Sequence, residues 1–482
     1  MRYQKILLIN SFTTLSNTGM LRPPAGLGYI SEILDRNRIE WDVMDMGCGY
    51  RYPDIKKKIE RYNPDLIAVS AMTFGYTFLY EIVANIKRLT GDKIPLAVGG
   101  AHVSTFQQDV LNECRAVDFG FVCEGEDAFL ELVQGKALDN IAGLIWRKNG
   151  QIVHNGPRPF RKDLDSVPFP RFRKFELRRY VTDEIPLVTS RGCPYRCIFC
   201  ASEVAGKSYR VRSASNVVDE IEYWVSHGKK HFDIVDDNFT LLKDRVHQIC
   251  DELDRRKLKN LSFRIGSGAR ADRLDRDLLK RMKQVGFNHI AIGIESGSEQ
   301  VLRNLNKKAN LETMKDSIKA ACDAGMDVTL FFLIGSPGET WQDFERSLEL
   351  AKQYPVFEAR FHNLVPFPGT ALYDWVSKEN YFLTEPKTYL NEISQWVDEP
   401  VFETPSFSKH ERQKALAIAG KVRKQIIKAA IERKLNSVPL LNKVLAGFLS
   451  SDFGQRQIYF NRRFRRLVDW ARRFVVASNI QP

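Results

Sequence analysis

Short apolar runs alternate with helical patterns twice along this chain, and that alternation most restricts its fold. In residues 1–145 the strand-like runs are Lys5–Asn10, Trp41–Asp45, Asp65–Ser70, Ile94–Gly99 and Phe119–Cys123. Between them lie helical patterns: one opening at Pro24, then Ile55–Tyr62, Tyr76–Leu89, Thr105–Cys114 and Asp127–Gln134. Apolar strands separated by helices predict an α/β domain with a parallel, doubly wound sheet. Such sheets bind ligands at the carboxyl ends of their strands. The pattern returns in residues 185–375, with strands expected at Ile185–Ser190, Phe232–Asp236, Leu261–Gly266, His289–Gly293, Asp327–Ile334 and Ala359–Val365. Six strand–helix units are too few to close an eight-stranded barrel.

At 482 residues the chain calls for two or three domains. The divisions expected are 1–145, a linker at 146–184, a core at 185–375 and a C-terminal region at 376–482 that is irregular and then helical. Within the linker, Trp146–Val153 reads as a small hairpin, followed by a Pro- and Arg-rich passage. Charge divides sharply. Residues 405–482 carry 17 Lys and Arg against 4 Asp and Glu, so the whole formal excess of +13 belongs to this tail. The eight cysteines include no disulfide-like framework, and no apolar run suits a signal peptide or a membrane span. The expectation is a cytoplasmic protein with reduced thiols.

Three cysteines stand close together in Thr189-Ser-Arg-Gly-Cys-Pro-Tyr-Arg-Cys-Ile-Phe-Cys200. Full ligation of a four-iron cube takes four thiolates; Cys193, Cys197 and Cys200 supply three and leave one iron open. A structural zinc site needs a fourth ligand, usually from a second spaced pair, and the nearest other cysteine is Cys250. The C-x3-C-x2-C spacing, with Phe199 before the last cysteine, resembles the signature of the radical SAM superfamily. That resemblance implies an open partial (β/α)6 barrel and a [4Fe-4S] cluster whose free iron holds S-adenosylmethionine. Reductive cleavage would then yield a 5′-deoxyadenosyl radical that abstracts hydrogen from an unactivated carbon.

Further motifs fall at expected strand ends in the order the resemblance implies. Asp236 and Asp237 end the second strand and would meet the amino group of S-adenosylmethionine; an acidic pair there also suits a metal or a helix cap. Arg270 would clamp the methionine carboxylate. Glu295 and Ser296 would hydrogen-bond the ribose. Gly335 would lie near the adenine, with Glu339 structural. Tyr195 and Arg196, inside the cysteine loop, would face the substrate.

The first domain resembles the Rossmann-like cobalamin-binding domain fused ahead of many radical SAM cores. The residues that carry this are Pro24-Ala-Gly-Leu-Gly-Tyr29, Ser70-Ala-Met-Thr73, Val98-Gly-Gly-Ala-His102 and Glu124-Gly-Glu-Asp127. Ser70 and Thr73 would bond the nucleotide tail, Gly99, Gly100 and Gly125 would admit the corrin, and Glu124 borders the same edge. The D-x-H-x-x-G cobalt-ligand motif is missing after the first strand, where the chain reads Asn10-Ser-Phe-Thr-Thr-Leu-Ser-Asn-Thr-Gly19. His102 is a cobalt ligand in principle only. Cys48, Cys114 and Cys123 raise a methylthiotransferase-type second cluster as an alternative, but their spacing fits it poorly.

In the tail, Ala415, Ile418, Ala419, Val422, Ile426 and Ala430 share a helical face, with Lys421, Lys424 and Lys428 on another. Phe460, Phe464, Leu467, Ala471 and Phe474 repeat the pattern opposite Arg462, Arg465, Arg466, Arg472 and Arg473. Such helices either pack on the barrel with a solvated basic face or touch an anionic membrane surface; the charge would suit nucleic acid, but no recognised nucleic-acid-binding fold supports it. The resemblance as a whole implies C-methylation of a small-molecule or lipid-like substrate with methyl delivery from cobalamin, fed by a flavodoxin- or ferredoxin-type reductant. Oxidative cyclisation or rearrangement without methyl transfer is the alternative chemistry, and an inactive scaffold the alternative class.

Overall fold

The structure is a computed structural model that describes residues 2–11, 22–202, 206, 208–392, 399–435, 439–461, 463–465 and 467–468. It divides into two compact units.

The first unit comprises Met1–Tyr180 with Ser202–Gly206 and Pro386–Ile393. Its sheet has seven strands: β1 (Lys5–Asn10), β2 (Glu40–Asp45), β3 (Leu66–Ser70), β4 (Leu96–Gly99), β5 (Phe119–Phe121), β6 (Leu144–Lys148) and β7 (Gln151–His154). Their order is β2-β1-β3-β4-β5-β6-β7. The first five are mutually parallel. Ile6, Leu7, Leu8 and Ile9 are all fully buried, as a central parallel strand covered on both faces requires. Strands β6 and β7 form the expected hairpin, turning on Asn149 and Gly150, both at positive φ. The hairpin runs antiparallel to β5 and extends this sheet, and the following Pro-rich passage stays with the first unit as far as Tyr180. The single helix expected at Thr105–Cys114 is instead two, Ala101–Phe106 and Gln108–Glu113. Gln107 lies between them at φ +48, a conformation that interrupts a right-handed helix.

The second unit comprises Val181–Ala201, Lys207–Glu385 and Ser394–Pro482. It opens with β8 (Ile185–Leu187) and a two-stranded ribbon of β9 (Ser190–Arg191) and β10 (Arg210–Val211). Then come β11 (His231–Ile234), β12 (Ser262–Arg270), β13 (Phe287–Glu295), β14 (Asp327–Ile334) and β15 (Glu358–Asn363). Six of these form one sheet in the order β15-β14-β13-β12-β11-β8, parallel throughout. Helices join successive strands, so this is the expected partial barrel.

An open sheet leaves an edge that must be covered. Helix Lys409–Lys434 covers it at β15. Arg423 donates to Glu358 of β15 at 2.6 Å, and Arg433 donates to the carbonyls of Pro355 and Val356 at 2.9 Å. Phe407, Ala415, Ala419 and Val422 join Ile334, Phe344 and Leu348 in one apolar cluster. The apolar stripe expected from Ala415 to Ala430 is thus consumed by packing rather than offered to a membrane, whereas Leu467 of the second stripe is exposed. No helix among the described residues is long and apolar enough to cross a membrane. The expectations for Arg462, Arg466, Ala471, Arg472, Arg473 and Phe474 lie outside the described residues.

Candidate active site

The cysteine loop leaves β9 at Gly192, where φ is +83, and is tied down on several sides. Ile198 donates its N–H to the Leu305 carbonyl (3.1 Å) and accepts from Leu372 N–H (2.9 Å). Asn306 Nδ2 donates to the Arg196 carbonyl at 2.7 Å. Tyr195 is engaged within the fold, whereas the Arg196 side chain is exposed. The Tyr195 hydroxyl accepts from Arg273 Nε at 2.8 Å, and the Arg270 guanidinium lies 3.5 Å from the centre of its ring. Cys193, Cys197 and Phe199 are half-buried, and Cys200 is exposed. Burial pushes the Cys193 and Cys197 thiols up, while Lys307 and Arg270 draw Cys197 back toward thiolate.

Asp236 ends buried beside β8 and is fully engaged. Its carboxylate accepts from Thr189 N–H, Thr189 Oγ1 and Ser190 Oγ, each at 2.6 Å. It therefore fixes the chain entering the cysteine loop. Asp237, next to it, is exposed. Asn238 is fully buried beside Cys193, whose thiolate it favours, and its Oδ1 has no hydrogen-bond partner among the described residues.

Arg270 is likewise occupied. Nε donates to Asp272 at 2.9 Å, and Nη2 donates to the carbonyls of Lys307 (2.8 Å) and Lys308 (3.2 Å). It braces the cysteine loop against the turn at Lys307 rather than presenting an open carboxylate clamp. Glu295 sits at φ +69, and its Oε1 accepts from Lys307 Nζ at 2.7 Å. A Cβ on Gly293 would come 2.6 Å from that oxygen, so the bare glycine makes room for the pair. Ser296 is fully buried and accepts from Ser298 N–H at 3.2 Å. Glu295 Oε1 and the Ser296 Oγ lone pair are thus engaged within the fold.

At the end of β14, Gly335 has φ +97. Glu339 Oε2 accepts from Gly335 N–H (2.6 Å) and Ser336 N–H (2.9 Å). Ser336 Oγ and Glu339 Oε1 are buried with no hydrogen-bond partner among the described residues. Burial pushes Glu339 up to about 7.

In the first unit, the strand order 2-1-3-4-5 places a topological switch point between β1 and β3, where doubly wound folds take ligands. Ser11 Oγ donates to the Ser70 carbonyl there at 2.8 Å. Thr73 is buried close by in sequence, and Met72 is 44% exposed. Asn10 Nδ2 and the Tyr180 hydroxyl both donate to Asp45 at 2.9 and 2.8 Å. Gly99 leaves ordinary space. Gly100, at φ +116, answers a local need: a Cβ would come 2.5 Å from the Ala71 carbonyl oxygen. Glu124 accepts from Arg161 N–H at 3.3 Å, and Gly125 precedes helix Glu126–Gln134.

His102 is not placed to ligate cobalt. Its ring is buried, stacks on Tyr76 at 4.7 Å and shares a 2.8 Å hydrogen bond with the Tyr80 hydroxyl. Burial pushes it down to about 4.

Residues 187–351 match the radical SAM superfamily, and residues 13–133 match the B12 binding domain. The chain is a radical SAM protein with a B12-binding domain. An uncharacterized methyltransferase of Pyrococcus horikoshii is 29% identical over 86% of this chain and 91% of its own length. The cytidylyl-2-hydroxyethylphosphonate methyltransferase of Streptomyces wedmorensis is 28% identical over 82% and 86%. The fold is that of the radical S-adenosylmethionine methyltransferase TsrM from Kitasatospora setae, solved with cobalamin and a [4Fe-4S] cluster. It superposes with a TM-score of 0.67 at 20% identity, covering 86% of this chain and 85% of that one.

The methylthiotransferase alternative drew on Cys48, Cys114 and Cys123. Cys114 is buried, and burial pushes Cys48 up to about 12. Sequence reasoning missed Lys307, Asp45 and Arg412. Only Arg412 carried a signal: it begins the buried stripe continued by Ala415, Ala419 and Val422, where an arginine is out of place.

Proposed function

We propose that this radical SAM protein methylates an unactivated carbon of a small-molecule substrate. The observation that carries the reading is a three-cysteine loop braced at the strand ends of a parallel six-stranded sheet, in a chain that also holds a B12-binding domain. The methyltransferase names of relatives aligned over 86% and 82% of the chain favour methyl transfer over ring closure.

The residues present fit the cofactors. Cys193, Cys197 and Cys200 would hold a [4Fe-4S] cluster, with Phe199 beside the last ligand and one iron left open. Buried polar atoms without partners are costly unless a ligand satisfies them. Asn238 Oδ1, Ser336 Oγ and Glu339 Oε1 are such atoms on the carboxyl side of the sheet. With exposed Asp237 and the Gly335 backbone they form the group we assign to S-adenosylmethionine. For cobalamin we assign Ser70, Thr73 and Gly99 at the switch point, with Met72 offering an apolar surface and Glu124 and Gly125 bordering the same edge. When bound, the cluster supplies the electron that cleaves S-adenosylmethionine, and cobalamin carries the methyl group. Asp236, Arg270 and Lys307 hold the cysteine loop in place, and Glu295 holds Lys307. A one-electron reductant completes the system.

Anaerobic reconstitution with iron, sulfide and hydroxocobalamin, followed by desalting, tests the reading. Retained corrin and cluster absorption are expected, and S-adenosylmethionine with reductant should yield both 5′-deoxyadenosine and S-adenosylhomocysteine. Loss of the corrin, or no S-adenosylhomocysteine, overturns methyl transfer.

A further inference from the structure

Arg412 is fully buried, although it belongs to the tail. Its guanidinium is held in a fixed plane. Nε donates to the Phe407 carbonyl (3.1 Å), Nη1 to the Phe402 carbonyl (2.8 Å) and Nη2 to Thr404 Oγ1 (3.4 Å). It lies 4.4 Å from the centre of the Phe402 ring. The far side of the guanidinium presses on Gly335, where any Cβ would overlap Nη1 and the central carbon. Glu339, which fixes the N–H groups of Gly335 and Ser336, carries the opposite charge beside it.

A methionine or leucine at this place on the stripe would bury at lower desolvation cost, since buried charged groups are often replaced by apolar ones without loss. The rigid fork of an arginine supplies what they lack, several hydrogen bonds in one plane. Here those bonds tie the start of helix Lys409–Lys434 to the 402–407 turn, and the plane they fix packs against Gly335 in the loop after β14.

We infer that Arg412 is a positioning residue for S-adenosylmethionine, through which the C-terminal helix sets the Gly335–Glu339 loop at the strand end. The inference rests on the reading above that this loop faces the nucleoside. Arg412 itself touches no substrate; it acts through Gly335 and Glu339. The basic tail is thereby part of the catalytic unit rather than an appendage to it.

The test is the dissociation constant for S-adenosylmethionine, measured by equilibrium dialysis on reconstituted full-length protein without substrate. The proteins compared are wild type, Arg412→Met, Arg412→Lys and, as a control on the exposed face of the same helix, Lys421→Ala. Arg412→Met should weaken binding about tenfold, the worth of one charge-assisted hydrogen bond, with cluster and corrin content unchanged. Arg412→Lys should fall between, and Lys421→Ala should match wild type. A merely structural role would lower the folded fraction and leave the dissociation constant of the folded protein unchanged. Arg412→Met that folds and binds as wild type overturns the inference while leaving the function standing. Wild type that fails to bind overturns both. If Arg412→Met does not fold, Arg412→Lys carries the same comparison.

Discussion

Lys307 donates to Glu295 at 2.7 Å in a place where their side chains are only 7% and 9% exposed, and both charges bear on Cys197. A buried pair is costly to desolvate and costlier to break: removing one partner strands the other, at about 3–5 kcal/mol. Lys307→Met should destabilise the protein by about that amount in denaturant melts. The same variant should take up less iron on reconstitution, because Cys197 loses the cation that favours its thiolate most. Gly293→Ala should mimic it without touching either charge, since the added methyl meets Glu295 Oε1. Wild-type iron content in both variants would contradict the link from this pair to the cysteine loop.

Asp236 accepts three hydrogen bonds from Thr189 and Ser190. Asparagine keeps the shape but turns one acceptor into a donor facing donors. Each hydrogen bond to a charged group is worth about 1.5–3 kcal/mol, so Asp236→Asn should lose at least that much stability. The cysteine loop follows directly, so cluster yield should fall too. If Asp236 met the substrate side instead, the variant would reconstitute normally and show only a weaker affinity for S-adenosylmethionine.

These two cases show where the sequence was readable and where it was not. The strands were legible because central parallel strands are apolar on both faces, as in Ile6–Ile9 and Leu330–Ile334. The cysteines were legible because ligand spacing is local. What a buried charge does was not: Asp236, Arg270 and Glu295 look like open site groups until their partners are known, and those partners come from other elements. Gly100 and Gly293 were conspicuous, yet they make room for Ala71 and for the Glu295–Lys307 pair within the fold. The alternation could not reveal the break at Gln107 either, because both half-helices keep the same apolar face toward the core through His102, Val103, Val110 and Leu111.

His102 sits near 4, well below its ordinary value of 6.5, because burial disfavours the imidazolium. Between those two values the unfolded chain binds the proton and the folded protein does not. Stability therefore rises with pH through this window and is lost as pH falls from 6.5 toward 4. His102→Phe should flatten that part of a pH–stability curve measured by thermal melting. Because the ring is stacked on Tyr76 and bonded to Tyr80, the variant should also leave the absorption bands of retained corrin unchanged. A spectral change on substitution would show that the histidine reaches the cobalt.

Glu339 shifts the other way, with the opposite sign. Burial pushes it up to about 7 from its ordinary 4.5, against the pull of the Ser336 and Gly335 N–H groups and Arg412, and with a further push from Asp343. Between 4.5 and 7 the folded protein holds the proton and the unfolded chain has released it. The contribution is therefore complete below 4.5 and is lost as pH rises toward 7. Glu339→Gln should remove this slope and make the protein less sensitive to pH in that range. Above about pH 7, where Glu339 is ionised, it should also weaken the grip on the Gly335 and Ser336 N–H groups, since a neutral amide oxygen accepts less strongly than a carboxylate. Combined with Arg412→Met, the loss of S-adenosylmethionine affinity should be less than the sum of the two single effects, because both act on one loop. Strict additivity would mean that Arg412 and Glu339 reach that loop independently.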